Sequence, residues 1–239
     1  MPRRQIPLVT GEIYHVFNRS VARQPILTTQ RNCQRILDLI NFYRFPNTNV
    51  RYSHFARLST ELKQQFLDDL TKQNQQVEIV CFTLMPNHYH FLIRQKSENG
   101  ISNFIRHLQN GYAKYFNLKN ERSGAVFQAM FKAVRIENEE QFIHIARYIH
   151  LNPLTSYVLN NIEQLNSYPW NSYMDYLQEN THSFIDPTFL TNLFGSKTKL
   201  QEFTENQIDY QRSLAQIFHL TLEDHSYPSV STQSTPGVG

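Results

Sequence analysis

The chain has 239 residues, 40% hydrophobic and 13% aromatic, which supports a packed core and excludes a wholly disordered chain. Its net charge of +3 names no polyanion partner by itself. Only 7 glycines, with no G-x-G-x-x-G or Walker-type run, leave little room for a glycine-rich phosphate loop, and Cys33 and Cys81 form neither a C-x-x-C nor a zinc-finger spacing.

Two lone cysteines fit a reducing, cytoplasmic compartment. The start, Met1-Pro2-Arg3-Arg4-Gln5-Ile6-Pro7, lacks the apolar stretch of a signal peptide, and no run approaches a membrane span.

Taken in order, residues 11 to 18 alternate and are rich in aromatics, which predicts a first strand. Thr28 or Thr29 then caps a helix whose Ile36, Leu37, Leu39, Ile40 and Tyr43 recur at helical spacing. Residues 46 to 59 are mixed, with a short strand expected near 50 to 56. A second helix is expected from Thr60 to Lys72, with Leu62, Phe66, Leu67 and Leu70 inward.

Residues 77 to 85 and 88 to 95 are apolar runs separated by Pro86-Asn87, the pattern of two strands meeting at a turn. A long helix over about 101 to 117 carries a stripe of Ile101, Phe104, Ile105, Leu108, Tyr112 and Tyr115, whose ordinary job is core packing. Residues 125 to 136 read as one or two short strands. Glu137-Asn138-Glu139-Glu140 opens another helix that should stop before Pro153. Tyr168-Pro169-Trp170-Asn171-Ser172-Tyr173 reads as an ordered connector. Helices at about 187 to 194 and 198 to 217 would form a C-terminal appendage (177–220), and residues 221–239 are expected to be disordered.

Four side chains stand out chemically. His88 and His90 are two apart on a strand and therefore share a face, with Tyr89 on the other. Two neutral imidazoles are half of a site for a borderline divalent ion, although such pairs are often only surface or cross-strand neighbours. Tyr148 and Asn152 are four apart on the helix before Pro153, hence on one helical face. Their ordinary roles would be a half-buried aromatic and a helix cap. Set against the histidine strand, they would instead add an amide oxygen ligand and a phenol nucleophile, an arrangement suited to metal-assisted attack on a phosphodiester. His144, one turn before Tyr148, could be a base, a ligand or a surface residue, and His15 is a weaker candidate.

Four blocks resemble the single-tyrosine HUH transposases, most closely their REP-associated tyrosine transposase branch (IS200-like). They are Tyr14-His15-Val16-Phe17-Asn18-Arg19, Met85-Pro86-Asn87-His88-Tyr89-His90-Phe91-Leu92-Ile93, residues 124 to 132, and Tyr148-Ile149-His150-Leu151-Asn152-Pro153 with the connector 168 to 173. The resemblance spans about residues 8 to 176. It implies an α+β fold, an antiparallel sheet with helices packed on its faces, as one catalytic domain over 8–176.

It further implies that His88, His90 and Asn152 bind a divalent metal ion, Mg or Mn. Tyr148 would form a 5′-phosphotyrosine link to single-stranded or hairpin DNA at REP-like repeats, releasing a 3′-hydroxyl. Asn152 stands where many relatives have Gln. Arg3, Arg4, Arg19, Arg106, Lys114, Lys119, Arg122, Lys132 and Arg135 would track the DNA backbone. The enzyme would act as a monomer or homodimer in the cytoplasm, nucleoid-associated when on DNA. Competing readings are a hairpin-binding regulator that does not cut, and a hydrolytic metalloenzyme acting on a small substrate. Two departures from the family stand out: residues 46 to 75 are longer than in compact relatives, and the turn at Gly124 is less glycine-rich and basic.

Overall fold

The computed structural model describes residues 7–46, 50–178, 182–206 and 208. β1 (Ile13–Arg19) leads through a turn into α1 (Gln30–Tyr43), the short α2 (Tyr52–Phe55) and α3 (Thr60–Thr71). The hairpin β2 (Val77–Met85) and β3 (His88–Gln95) follows, then α4 (Gly100–Lys119), β4 (Lys132–Arg135) and α5 (Glu139–Thr155). Four shorter helices close the described chain: α6 (Ile162–Asn166), α7 (Tyr173–Leu177), α8 (Thr188–Phe194) and α9 (Lys197–Glu205). The four strands form one antiparallel sheet in the order β2-β3-β1-β4. The fold class is α+β, as the sequence led us to expect.

The inner strands β3 and β1 position the site. Period-two alternation sends Tyr89, Phe91 and Ile93 to one face and His88, His90 and Leu92 to the other. On the first face the Gln109 amide of α4 donates to the Tyr89 hydroxyl at 2.6 Å, and Phe91 meets Phe104 edge-on. α1 lies close behind α4, where a Cβ on Gly111 would stand 3.1 Å from Leu39 Cδ2. On the second face α5 packs over β2 and β3. Both sheet faces are therefore covered, which is why β2 and β3 read as nearly unbroken apolar runs.

The outer edge of β2 is partly closed by the 168–173 connector. Leu84 N–H donates to Trp170 O, Ser172 N–H donates to Phe82 O, and Asn171 forms a bridge with Thr83. Below it lies a buried polar cluster in which Asp175 accepts from the His182 backbone and pairs with its imidazole at 2.7 Å. The appendage is fastened to α5 by Phe142 against Phe189 and by Arg147, whose guanidinium lies 4.2 Å from the Phe203 ring centroid and donates to Phe203 O.

Two local expectations are corrected. Residues 52 to 55 form a helical turn instead of a strand. That turn sets Tyr52 and Phe55 on one side, where both rings pack on Phe42. α5 does not stop before Pro153 but runs through it to Thr155. The fully buried Leu151 and Leu154 hold the last turn in the core, and Ser156 N–H closes it on Asn152 O, so packing outweighs the hydrogen bond that Pro153 cannot donate. Residues 125 to 136 supply one short strand, β4, as expected, plus an isolated bridge from Phe127 to Ser20. Two short helices have no periodic signal in the sequence: α6, capped by Asn161, and α7. The tail 221–239, the end of the helix expected over 198 to 217, and Arg3 and Arg4 lie outside the described residues.

Candidate active site

The β1–β3 register sets Arg19 opposite His88 and Phe17 opposite His90. His88 and His90 stand side by side, ring centroids 5.1 Å apart and nearly perpendicular. Each ring is held at Nδ1. His88 Nδ1 lies 2.7 Å from Asn87 Oδ1, and His90 Nδ1 lies 2.9 Å from His15 Nε2. His90 is also stacked against Phe17, at 5.4 Å between centroids.

α5 brings the second half of the site. Asn138 caps it by accepting from Gln141 N–H at 2.8 Å, and Glu139 and Glu140 sit at the positive end of its dipole. Its buried Ile149 side anchors the helix, which leaves Tyr148 at the surface, 37% exposed. The Tyr148 ring meets His90 edge-on at 5.5 Å and His15 at 6.0 Å. One turn on, Asn152 is buried, and its side chain reaches His88 closely enough to favour that ring's protonated form. Even so, Asn152 Oδ1 is a buried acceptor that no donor satisfies.

Burial controls the electrostatics. It pushes His88 down to about 4, with the Arg19 charge adding to the effect and Asn152 opposing it. Burial likewise takes His15 to about 4. His90 falls well below its usual value through burial first, then through the charges of His15, His88 and Arg19. All three rings are therefore neutral at pH 7, the form that can ligate a metal. Arg19 is itself lowered, by burial and then by Arg23, while interaction with Tyr148 works the other way. A guanidinium thus sits within electrostatic reach of the phenol.

Among the described residues no three His, Cys, Asp or Glu side chains form a metal-holding group. A cation here would need the Asn152 amide. The donor chemistry fits one: two neutral imidazoles beside a buried carbonyl oxygen with no hydrogen-bond donor.

The other sequence candidates scatter. His144 is exposed and turned to the appendage, its Nδ1 2.6 Å from an Arg147 nitrogen and its ring against Phe203. Lys132 pairs with Phe17 in register and reaches over its ring, beside the histidine face. Arg106 and Lys114 are on α4, across the sheet from the histidines. Lys119 donates to Asn32 Oδ1, Arg122 to Gln24 Oε1 and Ala125 O, and Arg135 pairs with Glu12. Tyr112 is fully buried, donating to Ile26 O, and Tyr115 stacks on Arg35, so both do structural work.

His15 is only a weak candidate by sequence and Asn87 none, yet both touch the central imidazoles. The signal for His15 was its place on an aromatic strand, but only strand order makes it a neighbour of His90. Asn87 was visible as a turn residue, and nothing in its spacing shows where its side chain points.

Residues 47–152 match the family model described as "Transposase IS200 like". The matched segment holds His88, His90, Tyr148 and Asn152 and leaves out β1 with His15 and Arg19. No curated protein matches the chain. A solved structure described as the REP-associated tyrosine transposase bound to a REP hairpin aligns at 17% identity with a TM-score of 0.49, covering 79% of this chain and 94% of that one. A putative transposase from Deinococcus radiodurans R1 aligns at 15% identity with a TM-score of 0.33, covering 62% and 95%. Both are too distant to assign chemistry, whereas the family match rests on sequence. That match covers less than half of the 239 residues and shows a similarity of this segment to the IS200-like transposase family.

Proposed function

We propose that this chain is a divalent-metal-dependent single-stranded DNA endonuclease and strand transferase, with Tyr148 as the nucleophile and His88, His90 and Asn152 as the ligands of Mg or Mn. One observation carries the reading. The phenol of Tyr148 stands over His90 on the same face as the unsatisfied Asn152 oxygen. The substrate class, single-stranded DNA beside a hairpin of the REP-like kind, follows from the family resemblance and the basic residues Arg19 and Lys132 flanking the histidine face.

In this reading the Tyr148 Oη attacks a DNA phosphorus. The Oη–P bond forms and the P–O3′ bond breaks. The phenolic proton passes to solvent, and the departing oxygen takes one up to become a 3′-hydroxyl. The DNA stays attached through its 5′-phosphate, and attack by another 3′-hydroxyl reverses the step and rejoins the strand. Arg19 offsets negative charge as the phenol loses its proton. When bound, the divalent ion would draw charge from the non-bridging phosphate oxygens. The neutral imidazoles of half-buried His88 and buried His90 orient the site.

Tyr148 stands over His90 of its own chain, so the chemistry needs no second copy, which favours a monomer over a homodimer. No helix among the described residues is long and apolar enough to cross a membrane. We place the enzyme in the cytoplasm, on the nucleoid when DNA-bound, with residues 8–176 as the catalytic domain and 177–220 as the appendage.

The test is covalent trapping. The full chain is incubated with a hairpin bearing a single-stranded flank and Mn2+, then denatured. A protein–DNA band is expected from the wild type and not from Tyr148→Phe. Tight hairpin binding with no band at any Mn2+ concentration would favour the non-cutting regulator. Cleavage that survives Tyr148→Phe would favour hydrolysis.

A further inference from the structure

We propose that Asn87 is a positioning residue that fixes the hydrogen of His88 on Nδ1, so that Nε2 is left as the bare lone pair offered to a cation. The inference rests on the proposed metal role of His88, but its central observation does not.

The Asn87 Nδ2 donates to the backbone carbonyl of Arg23 at 3.1 Å. A carbonyl only accepts, so the –NH2 group must face Arg23 and the Oδ1 must face His88. Turning the amide over would set two carbonyl oxygens against each other. Oδ1 is also only an acceptor, and it lies 2.7 Å from His88 Nδ1. The ring must therefore carry its hydrogen there, which is the less common arrangement for a free neutral imidazole.

The surroundings hold Asn87 in place. Ser20 N–H donates to Asn87 O at 2.8 Å, and Ile26 and Leu27 N–H both donate to Pro86 O, at 2.8 and 2.9 Å. The loop that does this is strained. Ala22 and Arg23 both adopt left-handed backbone, each at φ 54°, a conformation costly for residues with a side chain. Ser20 Oγ ties it shut on Gln24 O at 2.6 Å. Such strain presents the Arg23 carbonyl to the Asn87 amide. The grip thus passes from the 20–24 turn to Asn87 and from Asn87 to His88.

The test reads the hydrogen directly. Full-length 15N-labelled protein, treated with chelator and held at pH 7, is studied by two-bond 1H–15N correlation, with the His88 signals assigned by their loss in His88→Gln. The wild type should show Nδ1–H at His88, and Asn87→Ala should shift the ring toward Nε2–H. Mn2+ titration followed by electron paramagnetic resonance should then show binding weakened about 10- to 100-fold in Asn87→Ala, the usual scale for a group that orients a ligand. Nε2–H at His88 in the wild type overturns the proposal without recourse to any variant, and so does a folded Asn87→Ala with an unchanged ring. Wild-type protein that shows Nδ1–H yet binds no Mn2+ would sink the proposed metal chemistry while leaving the hold of Asn87 on the ring intact.

Discussion

Asn152→Leu separates the cost of the candidate site from its use. The Asn152 oxygen is buried and accepts no hydrogen bond. Leaving such an acceptor unsatisfied costs about 1–3 kcal/mol, and leucine, with the same branched shape and no polar atom, would remove the cost and bury more apolar surface. We expect the variant, in chelator, to be more stable than the wild type by roughly 1–2 kcal/mol, a rise of about 2–8 °C in Tm for a chain of this size. Saturating Mn2+ should reverse the order. At a hundredfold excess over Kd the wild type gains about 2.7 kcal/mol, and a variant without the third ligand gains little. Thermal denaturation with chelator and with Mn2+, on both proteins, reads the crossing. If Asn152→Leu is the less stable protein in chelator, the oxygen has a partner and the argument for a cation fails. If both proteins gain equally from Mn2+, Asn152 is not a ligand.

Three further outcomes follow from the same geometry. Arg19→Gln removes the charge beside Tyr148, so covalent adduct formation should slow about 10- to 100-fold and its optimum should move to higher pH; a single-turnover rate profile against pH checks both. Gly100→Ala would set a Cβ 2.2 Å from the Gln76 carbonyl oxygen, and the forced shift of backbone should cost about 2–3 kcal/mol in urea denaturation followed by the fluorescence of Trp170. Burial takes His150, whose Nε2 lies 3.1 Å from Ser172 Oγ, down to about 3 from an ordinary 6.5. Its contribution is therefore present above pH 6.5 and is lost as pH falls toward 3, because the unfolded chain takes up the proton first. Roughly 2 kcal/mol should be gone by pH 5, and His150→Gln should flatten the dependence of Tm on pH between 7 and 5.

Much of the architecture was readable one residue at a time. The hairpin bounds Val77–Met85 and His88–Gln95 coincide with the expected ones because a doubly covered pair of strands is apolar nearly throughout and the Pro86-Asn87 break is local. α1 was legible for a similar reason, since its cap at Thr29 and its stripe are both written in the sequence. The end of α5 was not, because the rule that helices stop before proline is weaker than the burial of Leu151 and Leu154 around it.

For the site, the sequence alone determined two pairings: His88 beside His90 by strand period, and Tyr148 beside Asn152 by helix period. Both are short-range, fixed by backbone geometry within five residues. The tertiary structure alone decided that these two faces meet, that His15 and Asn87 hold the rings at Nδ1, that Arg19 stands by the phenol, and that His144 belongs to the appendage. Those contacts join segments up to 133 positions apart (His15 and Tyr148). They depend on strand order and on which sheet face a helix covers, and no local periodicity carries that information.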